Sequence, residues 1–110
     1  MKGYTNKGAV WQLRDGEEII ADLVVDEFEW PWVYAQLKAR KGFAGFRPFF
    51  EHELTLLDDI ENNVDEWETA YDKIRSALTL LFPDGTPVPE YLLHVKNDTV
   101  WWRWNDQPFQ

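Results

Sequence analysis

The chain has no cysteine, so it can form neither a disulfide nor a thiolate metal site, and it has no cysteine nucleophile. No apolar run approaches the roughly 18 residues of a membrane-spanning helix, and residues 1–7 lack the apolar stretch of a signal peptide. Basic side chains are also scarce, with 11 Lys and Arg against 20 Asp and Glu, a formal charge of −9. These absences argue against membrane insertion and against direct binding of nucleic-acid phosphates, and they favour a cytoplasmic location.

Aromatic and aliphatic side chains are plentiful by contrast. The 110 residues are 45% hydrophobic and 16% aromatic, with seven Trp, seven Phe and four Tyr. Acidic disordered segments are poor in aromatics, whereas this composition is sufficient to build a core. We therefore expect a single folded domain spanning residues 1–110.

A first β-hairpin is predicted near the N-terminus, from β-type runs at residues 9–13 and 19–25. Between them, Gly16 is expected in the left-handed position of a three-residue loop, which places Trp11 opposite Ile19. Side chains alternate along a strand, so one face of this hairpin should be buried. The residues on that face are Ala9, Trp11, Leu13, Ile19, Ala21, Leu23 and Val25.

A second hairpin is predicted from residues 91–96 and 99–104, joined by Asn97 and Asp98. Both turn residues tolerate the positive φ of a two-residue hairpin turn. Pairing outward from the turn gives an apolar face of three cross-strand pairs, namely Val95 with Val100, Leu93 with Trp102 and Tyr91 with Trp104.

Helical patterns occupy the region between the hairpins. The first opens with Pro48 and carries Phe49, Phe50, Leu54, Leu57 and Ile60. The second begins at an Asn63 cap with Glu66 in a capping box, and it continues until the Phe82-Pro83-Asp84-Gly85 stretch. Residues 29–40 fit a further short helix with Pro31 in its first turn. We predict an α+β fold in which the two hairpins form one antiparallel sheet and two or three helices pack on one face, in the order ββ-α-α-α-ββ.

Six carboxylates and no base lie between residues 58 and 68, at the junction of the two main helical patterns. A solvated loop whose acids favour the N-terminus of the next helix explains such a run. The functional alternative is a partner surface, because a basic partner relieves like-charge repulsion and is attracted more rapidly. The candidate residues are Asp58, Asp59, Glu61, Asp65, Glu66 and Glu68. The Asp-x-Asp-x-Asp-Gly calcium pattern is missing, so no metal is predicted.

Catalytic patterns are weak. His52 lies between two glutamates whose side chains point in different helical directions, and the i+4 partner of a helical zinc pair is a leucine. Ser76, the single serine, has no Gly-x-Ser-x-Gly surroundings, and the six glycines are too scattered for a phosphate loop. We therefore predict neither a catalytic residue nor a cofactor.

The second hairpin contributes a different set of candidates on its other face. Its register places His94 opposite Trp101, and Arg103 shares that face. A cross-strand packing pair is the structural interpretation, whereas stacking and charge would allow the three side chains to bind a ligand or partner.

Trp30 and Trp32 are the remaining candidates. Four other tryptophans fall on predicted core faces, namely Trp11, Trp67, Trp102 and Trp104. The segment that contains them either covers the second sheet face or contributes to a contact surface between molecules. Exposed Trp and Tyr near Arg are typical of interface hot spots. Homodimerisation through the sheet face is compatible with each of these hypotheses.

The C-terminal stretches Tyr91-Leu92-Leu93-His94-Val95 and Trp101-Trp102-Arg103-Trp104-Asn105-Asp106-Gln107-Pro108-Phe109 resemble the C-terminal end of small acidic uncharacterised bacterial proteins. The resemblance covers about a fifth of the chain and implies no activity, cofactor or residue role.

Three functional hypotheses follow from these residues. The first is a non-enzymatic protein-binding module, an inhibitor, immunity or anti-defence protein in its sharper form, that occupies a basic partner surface. The second is a small-ligand or carbohydrate-binding domain that uses Trp101, His94 and Arg103. The third is a metal-assisted hydrolase built on Asp58 and its neighbours Asp59 and Glu61.

Overall fold

The computed structural model describes residues 3–105, which form six β-strands and two α-helices. The strands are β1 (Val10–Asp15), β2 (Glu18–Glu29), β3 (Trp32–Ala39), β4 (Leu78–Leu81), β5 (Glu90–Lys96) and β6 (Thr99–Asn105). The helices are α1 (Arg47–Leu57) and α2 (Ile60–Ala77), and a single 3₁₀ turn (Phe43–Gly45) precedes α1. The part of the C-terminal resemblance that falls on residues 106–109 lies outside the described residues.

The six strands form one antiparallel sheet that curls into a nearly closed barrel, in the order β4-β1-β2-β3-β6-β5. The two edge strands β4 and β5 are linked at the seam. The Tyr91 hydroxyl of β5 donates a hydrogen bond to the Leu78 carbonyl of β4 at 2.8 Å, and the chain after β4 returns to bridge Leu81 through Pro87. The outer edge of β4 is thereby partly covered.

The predicted ββ-α-α-α-ββ order is wrong, because two segments assigned to helices are strands. Residues 32–39 form β3, which is hydrogen-bonded to β2 on one side and to β6 on the other. Its alternating residues Val33, Ala35 and Leu37 point into the barrel and are buried. Pro31, which was expected inside a helical turn, instead lies in the β2–β3 hairpin turn after a cis peptide bond.

The second missed strand follows α2 without an intervening turn. The helix ends at Ala77, Leu78 adopts extended backbone angles (φ −118°, ψ 142°), and β4 then pairs with β1 from Asp15 to Gln12. The predicted C-terminal part of the second helix is therefore a strand, because extended backbone hydrogen bonds to β1 replace those of another helical turn.

The predicted buried face of the first hairpin is largely confirmed, although its predicted register is wrong. Trp11 lies opposite Leu23 rather than Ile19, since the turn contains Gly16 and Glu17 and a bulge interrupts the pairing after Leu13. Five of the expected inward residues are fully or almost fully buried: Trp11, Leu13, Ala21, Leu23 and Val25. The register of the second hairpin is confirmed, and Asn97 has the expected positive φ of 56°.

The core fills the barrel and its ends. Trp11 is at its centre, with ring centroids 5.1 Å from those of both Trp102 and Trp104 and 5.2 Å from Phe82. Tyr4 stacks on Phe82 with ring centroids 4.7 Å apart, so the aromatic cluster around Trp11 extends to the segment that precedes β1.

The helices pack as a pair against β5. The side that α1 buries consists of Phe50, Glu53 and Leu56, while Phe49, expected to be apolar and inward, is 44% exposed. α2 buries Ala70, Tyr71 and Ile74 and is kinked at Asn63, the predicted cap, whose φ and ψ are non-helical. Across residues 3–105, neither helix has the length and apolarity to cross a membrane.

Candidate functional site

The outer faces of β3 and β6 carry three of the aromatic and cationic candidates. Val33 and Trp102 are paired and buried inside the barrel, so their strand neighbours Trp32, Trp101 and Arg103 lie outside. Trp32 and Trp101 are half-buried and Arg103 is exposed, with its guanidinium carbon 5.8 Å from the centre of the Trp32 ring. This distance is within the range of a cation–π contact.

His94 is on the same side of the sheet but is not available to a ligand, because it is only 3% exposed. Its Nδ1 atom is 2.8 Å from Oε1 of Glu53, a close polar contact that lacks the geometry of an aligned hydrogen bond. The centre of the imidazole ring lies 5.6 Å from that of Trp101 and 6.1 Å from that of Trp32. His94 therefore supports these two indoles from beneath.

Glu53 is fully buried in the middle of α1, and the sequence analysis did not select it. Its Oε1 also accepts a hydrogen bond from the Trp67 indole of α2 at 2.9 Å, whereas Oε2 has no hydrogen-bond partner among the described residues. One carboxylate thus connects α1, α2 and β5. Its spacing of three residues from both Phe50 and Leu56 was the available signal, because it places Glu53 on the buried helix face.

The β2–β3 tip, defined as residues 26–32, projects at the end of the hairpin. Trp30 at its apex is 81% exposed, and Phe28 is 39% exposed. Glu29 pairs with Trp32 across the hairpin, and Asp26, Glu27 and Glu29 are all exposed. None of these three carboxylates takes part in an ion pair within residues 3–105.

The negative charge of another β2 carboxylate, Asp22, is already paired with the Arg40 guanidinium. Burial alone would raise the pKa of Asp22, but hydrogen bonds from Arg40 and Gln12 outweigh burial and hold the pKa below its ordinary value of 3.8. The acids of the tip therefore differ from Asp22 in remaining available to a partner.

The six acids between residues 58 and 68 are all exposed, but they do not form one site. Asp65 and Glu66 line a groove of about 560 Å³ between α1 and α2, together with His52 and Lys73. Glu68 lines a different groove, beside Arg75 and Arg103, and Asp58 lines a third with Trp101. The two remaining acids, Asp59 and Glu61, line none of these three grooves, and the Asp59 carboxylate accepts a hydrogen bond from Asn62. Among residues 3–105, no group of three or more His, Asp or Glu is suited to hold a metal ion.

The third groove, here named the Trp101 groove, has a volume of about 520 Å³. It lies between α1 and the β5–β6 hairpin. Apolar side chains and the Trp101 ring form part of its lining, and Glu51, Asp58 and Lys96 bring charge to it. Trp101 and Arg103, considered together in the sequence analysis, thus line separate grooves.

Two buried tyrosines fix the position of α2 and the barrel seam. The Tyr71 hydroxyl accepts a hydrogen bond from the Leu93 amide at 2.6 Å, and the Tyr91 hydroxyl donates to the Leu78 carbonyl. Burial raises the pKa of both hydroxyls well above the usual value of 10, so both are neutral near pH 7. Both hydroxyls act as hydrogen-bonding links between elements of the fold.

Comparisons with protein-family models, with curated proteins and with solved structures find no match for this chain. What the residues themselves present is an exposed acidic and aromatic hairpin tip, a groove with an indole and two carboxylates, and a buried Glu53–His94 contact beneath the outer indoles.

Proposed function

We propose that this chain is a non-enzymatic protein-binding module that docks on a basic protein surface through the β2–β3 tip. The observation that carries the proposal is Trp30, which is 81% exposed at the apex of a hairpin whose carboxylates form no ion pair within residues 3–105. Tryptophan is enriched among interface hot spots, where its large ring fills a pocket of the partner.

The charge around the tip supports a basic partner. Residues 15–37 contain no Lys or Arg, and the whole chain carries a formal charge of −9. Complementary charge accelerates encounter and selects against acidic partners, while the buried aromatic contact supplies most of the affinity. An inhibitor, immunity or anti-defence protein that covers a basic surface has these properties.

The tip is also prepared for binding. It extends a twelve-residue strand, β2, whose partner β3 is hydrogen-bonded on both sides, and the Arg103 guanidinium lies against Trp32 at its base. An aromatic side chain with only two rotatable side-chain bonds loses little entropy on binding, and a preformed hairpin loses little more.

The geometry supports this function better than the two alternatives. A small-ligand site built from Trp101, His94 and Arg103 would need all three around one pocket, but His94 is buried and the other two line different grooves. A metal-assisted hydrolase would need Asp58, Asp59 and Glu61 to converge on one ion, but no group of three or more His, Asp or Glu among residues 3–105 is suited to hold a metal ion.

The proposal is tested by placing a photo-crosslinking amino acid at position 30 and irradiating in an extract of the source cells. Position 17, in the turn at the opposite end of β2, is an exposed control. We expect a basic protein to be crosslinked from position 30 and not from position 17, with a yield that falls as salt is raised. Equal yields from both positions, or crosslinks to acidic proteins or to a second copy of the chain, would overturn the proposal.

Once the partner is identified, the Trp30→Ser variant gives the energetic test. Loss of a hot-spot tryptophan should weaken binding by at least about thirtyfold, which corresponds to roughly 2 kcal/mol. Isothermal titration calorimetry measures this change, and an unaltered dissociation constant would contradict the role of the tip.

A further inference from the structure

We propose that the Trp101 groove is a second contact site, which takes an arginine side chain of the basic partner. This inference rests on the proposed function, because it specifies the chemistry that the partner must present. It depends on different residues from the β2–β3 tip.

The groove holds its indole in a fixed position. Trp101 is half-buried and packs on His94 at 5.6 Å, and His94 is in turn held by the fully buried Glu53. A guanidinium stacks flat on an indole, and a ring that is already immobilised gains this contact without further ordering.

The carboxylates of the groove lie on one face of the helical segment formed by α1 and its C-cap residue, Asp58. Glu51, Leu54, Thr55 and Asp58 follow one another at i, i+3, i+4 and i+7, so two carboxylates flank apolar and hydroxyl side chains over two helical turns. Neither Glu51 nor Asp58 forms an ion pair with any residue in the 3–105 range. Both are available to a cation that lies over Trp101.

The volume of the groove and the position of Lys96 further restrict which side chain can occupy it. A volume of about 520 Å³ is within the range of small-molecule pockets, which is enough for one long side chain and its adjoining backbone. Lys96 also lines the groove and lies farther than 4.0 Å from both carboxylates, so it is not their counter-ion. A planar guanidinium can stack flat on Trp101 and direct two in-plane N–H groups to one carboxylate at once, whereas a lysine ammonium offers a point charge without this planar fork.

The test uses three short peptides, each with a central arginine, lysine or citrulline between glycines and with blocked ends. Citrulline keeps the planar shape of arginine but has no charge. In ¹H–¹⁵N correlation spectra of the full chain, the arginine peptide should shift the Trp101 indole signal and the amides of residues 51–58. The lysine peptide should bind more weakly, and the citrulline peptide should cause no shift at the same concentration.

Variants separate a specific site from general charge attraction. Asp58→Asn and Glu51→Gln should each weaken binding of the arginine peptide by about two- to fivefold, the range expected for a partly exposed ion pair. Glu61→Gln removes the same charge from a residue outside the groove and should leave the affinity nearly unchanged. Equal effects of Glu61→Gln and Asp58→Asn, or equal binding of the citrulline peptide, would overturn the inference.

The two proposals can fail separately. Trp30→Ser should leave binding of the arginine peptide intact, because Trp30 is not part of the groove. Arginine-peptide binding without any crosslink from position 30 would reject the tip and retain the groove. Crosslinking from position 30 that Asp58→Asn leaves unchanged, with no spectral shift by the arginine peptide, would retain the tip and reject the groove.

Discussion

Glu53 and His94 form a contact that an apolar pair of similar size would make at lower desolvation cost. A carboxylate with 0% exposure and one unpartnered oxygen among the described residues is unfavourable unless the remaining contacts compensate. Here one oxygen meets both the imidazole of β5 and the indole of α2. The contact fixes the position of the helices against the barrel. It also holds in place His94, which packs against Trp101.

Removal of the Glu53 carboxylate should therefore be costly. We expect Glu53→Ala to lower the free energy of unfolding by about 3 kcal/mol, because the Trp67 N–H loses its buried acceptor and His94 loses its contact with the carboxylate. Urea denaturation followed by far-UV circular dichroism measures the change. Glu51→Ala, an exposed position on the same helix, should stay within about 0.5 kcal/mol of the wild type. Similar losses in the two variants would contradict the structural role of Glu53.

The tryptophans should divide into two classes by the cost of replacing them. Trp11→Ala should lose about 4 kcal/mol of stability, because the ring is fully buried at the centre of the core. Trp30→Ser should change stability by no more than about 0.5 kcal/mol, since that ring faces solvent. Urea midpoints of the two variants provide the comparison, and a large loss for Trp30→Ser would show that the tip is structural.

At the scale of elements, the sequence predicts best where the local pattern has one period. The second hairpin has strict alternation and an Asn97 turn, and its register is as predicted. Leu78 and Leu81, in contrast, continue the helical spacing of Ile74 while they also fit a strand, and no Gly or Pro marks the change. The bulge after Leu13 arises in the pairing of β1 with β2, while the pairing of the same residues with β4 is regular, so the local sequence of β1 could not reveal it.

The turn of the second hairpin provides a test of backbone conformation. Asn97 has φ 56°, and its carbonyl accepts a hydrogen bond from Arg47 at 2.9 Å. Asn97→Val should cost about 1–2 kcal/mol, because a β-branched residue is strained in the left-handed region. Asn97→Gly keeps the carbonyl and should be close to neutral. Chemical denaturation of both variants measures the difference, and equal stability of the two would contradict a left-handed Asn97.

The Tyr91 hydroxyl, which links β4 and β5 at the seam, should contribute less to the free energy of unfolding at alkaline pH. Burial raises the pKa of Tyr91 above that of an unfolded tyrosine, so the folded chain retains a proton that the unfolded chain releases above about pH 10. The stabilising contribution is complete below pH 10 and is lost as the pH rises toward the folded pKa. The slope should be up to about 1.4 kcal/mol per pH unit for this group.

Tyr91→Phe serves as the control for this pH dependence. It removes the titrating hydroxyl together with its hydrogen bond to Leu78, so it should lower stability at pH 8 but flatten the decline between pH 10 and 11.5. Urea midpoints across this pH range provide the measurement. An unchanged slope in the variant would assign the alkaline loss to other groups.

At the scale of the whole molecule, the net charge of −9 should produce opposite responses to salt. Added salt screens repulsion among exposed acids such as Glu61 and Glu68, so the melting temperature of the free chain should rise between about 20 and about 300 mM NaCl, over which the screening length falls severalfold. Binding to the basic partner should weaken over the same interval. Differential scanning calorimetry and titration calorimetry measure the two effects. A melting temperature that falls with salt would show that favourable ion pairs outweigh repulsion.

The curling of the sheet into a nearly closed barrel is the feature that the sequence predicts least well. Closure depends on β4 joining β1 and on Tyr91 reaching Leu78, contacts between segments that are distant along the chain. Periodicity reports which side of an element is apolar, but it does not identify the element that covers it. Among the candidate site residues, for the same reason, sequence could mark Trp101 and Asp58 as candidates without showing that α1 brings them to one groove.

The clustering of indoles around Trp11 makes the protein its own optical probe. Its ring lies 5.1 Å from those of Trp102 and Trp104, close enough for their excited states to couple and give an intense near-ultraviolet circular dichroism signal. Trp30 lies far out in solvent and should dominate fluorescence quenching by neutral acrylamide. The same unlabelled sample therefore reports the integrity of the interior in one spectrum and occupancy of the contact surface in another.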